Sequence, residues 1–167
     1  MNMEIRLRAL EPEDLDFLYE VENDIATWDI GNTTVPYSHD LLRQYILTST
    51  GDIFTDRQVR LVITADSTAI GIADLTSFDP KNRRAEVGII INKAWRDKGF
   101  ATKALQLLVN YAVQTVHLHQ LYAIIPESNE PSKRLFTNAG FDHAATLKDW
   151  IYDGKKYGDA QIMQKII

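Results

Sequence analysis

The segment from Arg96 to Ala101 combines small side chains with the start of a helix, and this combination can bind a phosphate. It follows an apolar strand of Val and Ile residues that ends at Ile91. Backbone amides in the first turn of a helix have no partner within the helix, and the helix dipole adds about half a positive charge there. A strand, a turn with little bulk at Gly99 and a helix start therefore predict a site for a phosphate-bearing ligand.

The phosphate motifs of two common nucleotide-binding folds do not fit this segment. A P-loop requires Gly-Lys followed by Ser or Thr, and the chain has no such ending. A dinucleotide fingerprint requires three glycines and an acidic residue about 20 positions further on, at the next strand. Only Gly99 is present, and the next strand, near residues 119–126, offers no such acid.

The helix that follows Gly99 must position this turn. We predict that it continues to about Thr115, because its polar and apolar residues repeat with a period of 3.6. The polar positions are Lys103, Gln106, Asn110 and Gln114, and the apolar ones are Ala101, Ala104, Leu105, Leu108, Tyr111 and Ala112.

The remaining elements surround this strand–turn–helix unit. Periods of two and of 3.6 residues predict the order strand, helix, helix, three strands, helix, strand, helix, two strands. The strands fall near residues 4–10, 58–65, 69–78, 84–91, 119–126, 141–152 and 157–166, and the other helices near 12–23, 38–46 and 129–139. Residues 24–37 have no clear period and predict a loop near the mouth of the site. We expect one α+β domain over residues 1–167.

Composition excludes several classes of protein. The net charge of −5 does not favour nucleic acid and gives a faint preference for cationic ligands. No apolar run is long enough to cross a membrane, and the N-terminus lacks the features of a signal peptide. The chain has no cysteine, and its four histidines show no metal-ligand spacing, so we expect no metal and a cytoplasmic location.

Two motifs resemble those of the GNAT acetyltransferases. Arg96-x-x-Gly99-x-Ala101 is similar to the family's Arg/Gln-x-x-Gly-x-Gly/Ala loop, with the expected strand before it and helix after it. Asn129-x-x-Ser132-x-x-x-Phe136-x-x-x-Gly140-Phe141 resembles the family's second conserved block. The order of elements is also that of the GNAT fold. The resemblance spans nearly the whole chain and looks closest to the spermidine and ribosomal-protein N-terminal acetyltransferases.

The resemblance implies a mixed, mostly antiparallel twisted sheet of about seven strands flanked by about four helices. The strands near 86–91 and 121–126 would splay apart, so that the pantetheine arm of acetyl-CoA lies between them as a pseudo-strand. The implied coenzyme contacts are Ile89, Ile90, Ile91, Arg96, Asp97, Lys98, Gly99, Phe100, Ala101, Thr102, Asn129 and Phe136. A solvated surface role for Lys98 and a simple helix cap for Asn129 stay open as alternatives.

The resemblance also implies catalytic roles. Glu86 stands where many family members carry a glutamate that acts as base, often through water. An ion pair with Arg83 or Arg84 stays open as the alternative. The backbone amide near Ile89 would polarise the thioester carbonyl.

Phe136 departs from the family pattern, because many relatives have a tyrosine there that protonates the coenzyme thiolate. Water or another group would then take this role. Tyr122, Tyr152 and Tyr157 are candidates, with packing as the alternative for each. The missing hydroxyl also raises the alternative of a non-catalytic acyl-CoA-binding module.

The acceptor implied by the resemblance is a primary amine, with a small cationic polyamine as the first choice. Trp28, Asp29 and Tyr37 would bind it, and Glu20, Glu22 and Asp24 would add an acidic approach. The alternative is that these are ordinary surface carboxylates and core aromatics. A protein N-terminus or an amino sugar remains open as acceptor. The resemblance further implies a homo-oligomer, whose interface the sequence does not locate.

Overall fold

The protein, described here from a computed structural model for residues 3–28 and 33–167, is built on one seven-stranded sheet. The strands are β1 (Ile5–Ala9), β2 (Val59–Ala65), β3 (Thr68–Asp79), β4 (Arg84–Ile91), β5 (Gln120–Pro126), β6 (Asp142–Tyr152) and β7 (Tyr157–Ile166). Their order in the sheet is β1-β2-β3-β4-β5-β7-β6. All neighbours pair antiparallel except β4 and β5, which are parallel. The predicted mixed, mostly antiparallel α+β sheet is confirmed.

Six α-helices lie in the described part of the chain. They are α1 (Leu15–Glu22), α2 (Ile25–Trp28), α3 (His39–Thr48), α4 (Ile53–Asp56), α5 (Phe100–Gln114) and α6 (Glu130–Asn138). Four of them have eight or more residues, which agrees with the prediction of about four helices. The other two, α2 and α4, are single turns of four residues. A single turn is too short to show a 3.6-residue period, so the prediction of an unbroken loop over 24–37 was wrong at α2.

Side-chain caps define where two of the four longer helices begin. The Ser38 hydroxyl accepts a hydrogen bond from the Leu41 amide (3.1 Å) at the start of α3, and the Asn129 side chain accepts one from the Ser132 amide (3.2 Å) at the start of α6. By contrast, α5 begins at Gly99 with no side-chain cap. The first turn of α5 is therefore open toward solvent.

The two faces of the sheet carry different apolar clusters. One face packs against α5 and α6 and holds most of the core, including Leu105, Leu108 and Phe141. The other face packs Val62 and Ile72 against α1 and α3. Strand β4 contributes to both clusters, because alternate side chains of a strand point to opposite faces. Leu41 in α3 is 50 % exposed, so this leucine lies outside both clusters.

A charged network crosses the face that α1 covers. Arg60 on β2 stands directly opposite Asp74 on β3, and its Nε lies 2.9 Å from Asp74 Oδ1. Arg60 also forms an ion pair with Glu22 at the end of α1. Burial raises the pKa of Asp74, and the charge of Arg60 opposes that effect. The network fixes the end of α1 to strands β2 and β3.

Arg60→Met should lower the free energy of unfolding by about 3–5 kcal/mol, because it leaves two carboxylates in a poorly solvated site without their cation. Asp74→Asn should cost less, because Arg60 keeps Glu22 as a partner. Urea unfolding of both variants measures the difference. Equal, small losses below about 1 kcal/mol would show that the network contributes little to stability.

Candidate active site

Strands β4 and β5 part soon after they begin to pair. Their parallel register covers only Arg84–Glu86 against Gln120–Tyr122. Beyond this register, the Asn92 amide donates a hydrogen bond to the Ile70 carbonyl, on the side of β3 (2.8 Å). Because backbone groups alternate in direction along a strand, those of the odd-numbered residues of β4 face the gap. The Ile91 carbonyl accepts a hydrogen bond there from Arg96 Nε (2.9 Å). The gap therefore exposes the amide and carbonyl of Ile89 to an incoming ligand.

The turn before α5 presents a run of free backbone amides. Asp97 and Gly99 both have positive φ angles, of 61° and 79°. Within residues 3–28 and 33–167, the amides of residues 97–102 donate to no protein acceptor. A Cβ added to Gly99 would meet no atom within 4 Å, so the space beside these amides is open. This arrangement suits a diphosphate.

Two basic side chains border the turn. Besides its bond to the Ile91 carbonyl, Arg96 places a terminal nitrogen 3.9 Å from Asp24, which lies between α1 and α2. Lys98 donates to the Ala94 carbonyl (3.0 Å) and lies 5.2 Å from the centre of the Trp95 ring. Lys98 is thus an exposed side chain that contacts its own turn, and both the coenzyme contact and the surface role stay open as predictions.

Glu86 is the last residue of β4 that pairs with β5 before the gap begins. It stands opposite Thr76 on β3 and opposite Tyr122 on β5. Its Oε2 lies 3.4 Å from the Ser77 hydroxyl. Burial raises the pKa of Glu86, and the hydrogen bond from Ser77 opposes that effect. The alternative of an ion pair with Arg84 is wrong, because Arg84 pairs with Asp79 (3.2 Å).

The second motif places its residues in the core and at a helix start. Phe136 is 5 % exposed and meets Phe141 edge to face, with 5.0 Å between ring centres. Asn129 caps α6, as the alternative interpretation predicted. Tyr152 and Tyr157 are more than half exposed and contact each other at the tip of the last hairpin, so neither packs in the core.

The residues predicted to bind the acceptor cluster around the end of α1. The Trp28 indole donates to the Glu22 carbonyl (2.9 Å). Asn23 exchanges two hydrogen bonds with the backbone of Tyr37 (2.8 and 3.0 Å), which brings Tyr37 to the same helix end. Asp29 lies outside the described residues.

A small cavity of about 120 Å³ lies between this helix end and the end of β4. Its lining includes Glu20, Asp24, Thr27, Ile90, Ile91 and Arg96. The carboxylates predicted to form an acidic approach do not all lie together: Glu20 and Asp24 line this cavity, whereas Glu22 is paired with Arg60.

In the described part of the chain, no helix is long and apolar enough to cross a membrane.

Comparison with known proteins identifies the family. The sequence profile of the acetyltransferase (GNAT) domain matches residues 4–142. The chain belongs to the GNAT acetyltransferase family. This GNAT protein is accordingly an N-acetyltransferase with acetyl-CoA as its co-substrate.

Relatives of this GNAT protein include polyamine and ribosomal-protein enzymes. Spermidine N(1)-acetyltransferase of Escherichia coli (strain K12) is 27 % identical over 161 residues, which cover 93 % of this chain and 82 % of that one. A ribosomal-protein-serine acetyltransferase of the same strain is 24 % identical over 98 residues, or 59 % of this chain and 55 % of that one.

A solved structure with a similar fold is the spermidine N-acetyltransferase of Vibrio cholerae in complex with CoA and spermine. It has a TM-score of 0.86 and 25 % identity, and the match covers 97 % of this chain and 95 % of that one. Another structure of that Vibrio enzyme is dodecameric.

The motifs did not reveal three residues that lie close to the site. Ser77 contacts Glu86, and Arg60 and Asp74 form the buried pair beneath α1. A signal for the pair existed, because Arg60 and Asp74 each interrupt a run of apolar residues in their strands. Ser77 gave no signal, since its position depends on an irregularity in the pairing of β3 with β4.

Gly99→Ala should weaken coenzyme A binding at least about tenfold, because its methyl group enters the space beside the free amides. Gly51→Ala is a matched control: Gly51 also has a positive φ, of 71°, and open space around its Cβ position. Both variants should lose about 1 kcal/mol of stability. Calorimetric titration with coenzyme A separates them, and equal affinities would place the diphosphate elsewhere.

Proposed function

We propose that this protein transfers the acetyl group of acetyl-CoA to a primary amine of a small polycation, such as a polyamine. The observation that carries the proposal is that Glu20 and Asp24 line the cavity at the open end of β4. Lys93 and Arg96 line it too, and Arg96 lies 3.9 Å from Asp24, so Glu20 is the carboxylate of this lining without an ion pair among the described residues. A multiply charged amine gains from several carboxylates near the reacting centre. Support also comes from the net charge of −5 and from the spermine bound by the Vibrio relative.

The coenzyme contacts follow from the free backbone groups. We assign the diphosphate to the amides of residues 97–102, with Arg96 and Lys98 adding charge on either side of the turn. The backbone groups of Ile89 and the amide of Ile91, which face the gap, pair with the pantetheine arm as a strand would. When bound, the coenzyme supplies an acetyl thioester, and the Ile89 amide is the donor placed to polarise its carbonyl.

Glu86 is the base in this proposal. An ammonium group with a pKa of about 10 must lose a proton before it can attack a carbonyl. A carboxylate whose pKa is raised by burial accepts that proton more readily than an exposed one, directly or through water. Trp28 and Tyr37 would pack against the methylene groups of the acceptor, and Asp29 would add a third carboxylate.

Protonation of the leaving group does not require a tyrosine at position 136. A thiol has a pKa of about 8–9, so its thiolate leaves readily near neutral pH. Tyr122, which stands opposite Glu86 in the register of β4 and β5, is the tyrosine that we place nearest to the departing sulfur. Phe136 then acts by packing, through its contact with Phe141.

We also propose that the protein works in the cytoplasm as a homo-oligomer. The dodecamer of the Vibrio relative supports self-association, and the absence of cysteine is compatible with a reducing compartment. Sedimentation of the purified chain measures whether it forms the proposed homo-oligomer.

Spermidine or spermine should be acetylated with a kcat/KM at least about 100-fold above that for an amino sugar or a ribosomal-protein N-terminal peptide, because only the polycation meets several carboxylates. A thiol reagent that detects free coenzyme A measures each acceptor under the same conditions. Preference for the peptide would favour the ribosomal-protein alternative. Absence of thiol release with every acceptor, despite coenzyme binding, would contradict the proposal.

Glu86→Gln should lower kcat/KM by about 10²–10³, the usual contribution of a general base. In the wild type, activity should fall as the pH drops through the raised pKa of Glu86, because only the carboxylate form accepts a proton. The variant should lack this acidic limb. Glu13→Gln, a substitution of an exposed glutamate just before the start of α1, is the control. An unchanged pH–rate profile in Glu86→Gln would exclude Glu86 as the base.

A further inference from the structure

Ser77 occupies an irregular position in β3, next to the proposed base. The pairing of β3 with β4 moves from Thr76–Glu86 to Asp79–Arg84. The chain thus advances three residues on β3 (76 to 79) and two on β4 (86 to 84), which defines a bulge with one extra residue. Ser77 lies in this bulge with a φ of 50°, in the left-handed region that a serine rarely adopts.

The bulge changes which residues face the core. Ala73 and Leu75 point into the cluster beneath α5, and regular alternation would send position 77 there as well. Phe78 enters that cluster instead, and Ser77 is exposed. The extra residue thus leaves the Ser77 hydroxyl on the Glu86 side of the strand, 3.4 Å from Oε2.

The surroundings hold the bulge in place. Phe78 is 6 % exposed and meets Phe54 of α4 edge to face at 5.1 Å, while its amide donates to the Arg57 carbonyl (3.2 Å). Next to it, Asp79 accepts hydrogen bonds from the Lys81 and Asn82 amides. A strained residue persists only where neighbouring contacts determine its conformation, and such residues and bulges occur beside active sites.

We propose that Ser77 is a positioning residue for Glu86: its hydroxyl donates to Oε2 and leaves Oε1 to accept the proton of the amine. The proposal rests on the proposed role of Glu86 as the base. The 3.4 Å separation is long for this bond, and catalytic hydrogen bonds tighten when substrate is bound. The bond favours the carboxylate form, so it counteracts the effect of burial on the Glu86 pKa.

Three variants separate the hydroxyl from the backbone conformation. Ser77→Gly removes both the hydroxyl and the strain, Ser77→Ala removes the hydroxyl alone, and Ser77→Asn keeps a donor on a residue that tolerates the left-handed region. Thr76→Val removes a hydroxyl from the neighbouring position opposite Glu86 and is the control.

Titration of the side-chain carboxyl carbons by NMR reads the Glu86 pKa without any substrate. We expect this pKa to rise in the Gly and Ala variants and to stay near the wild-type value in Ser77→Asn and Thr76→Val. In the acetyl-transfer assay, kcat should fall about tenfold in the Gly and Ala variants, with little change in KM for the amine. Ser77→Gly should nevertheless gain thermal stability, because the strain is relieved.

The stability measurement makes a purely structural role visible. If Ser77→Gly gains stability and keeps the wild-type Glu86 titration and kcat, the serine only fills the bulge and the proposal is overturned. An equal rise of the Glu86 pKa in Thr76→Val would also overturn the proposal, because the loss of any nearby hydroxyl would then have the same effect. Failure of the wild type to acetylate any amine contradicts the proposed function instead, and the NMR titration still decides whether Ser77 binds Glu86.

Discussion

The structure depends on two neighbouring strands, β4 and β5, that cannot pair along their whole length. β4 is held along its length by β3, from Arg84 to Ile91, and β5 is held by β7 from Gln120 to Pro126. Neither strand can move across the gap without breaking its own antiparallel ladder. Backbone groups left without a partner are costly unless water or a ligand satisfies them. An extended ligand with amide groups meets that requirement, and the pantetheine arm of acetyl-CoA is such a ligand.

The gap and the free amides of α5 have a fixed relation to each other. Arg96 reaches back to the Ile91 carbonyl, so the turn before the helix is tied to the end of the strand. Where α3 and α6 use Ser38 and Asn129 as caps, α5 uses Gly99, which offers no side chain to its own amides. Omission of one cap reduces helix stability by about 1 kcal/mol and leaves an anion site in its place.

The sequence predicted the elements that have a clear period, and it failed where contacts between distant residues decide. All seven strands and the four longer helices lie within a few residues of their predicted positions, and the loop at Gly99 was recognisable because its motif is local. The hydrogen-bond partner of Glu86 was not recognisable from any local motif. An ion pair with Arg83 or Arg84 was the alternative to the catalytic role, yet Arg84 pairs with Asp79. The bulge that brings Asp79 and Ser77 to that position depends on Phe78, Phe54 and α4, and no local pattern records this packing.

Charge is distributed unevenly among the carboxylates around the site. Glu22 and Asp74 share Arg60, so they fix α1 to the sheet and leave little negative charge for a ligand. Glu86, among the residues that the structure describes, has no cation within ion-pair distance and receives one hydrogen bond from a hydroxyl. A base needs this second environment, because a paired carboxylate would hold its charge too strongly to accept a proton near neutral pH. Carboxylates thus stabilise the fold at Asp74 and remain available for proton transfer at Glu86, which lies only two residues away in the pairing of β3 with β4.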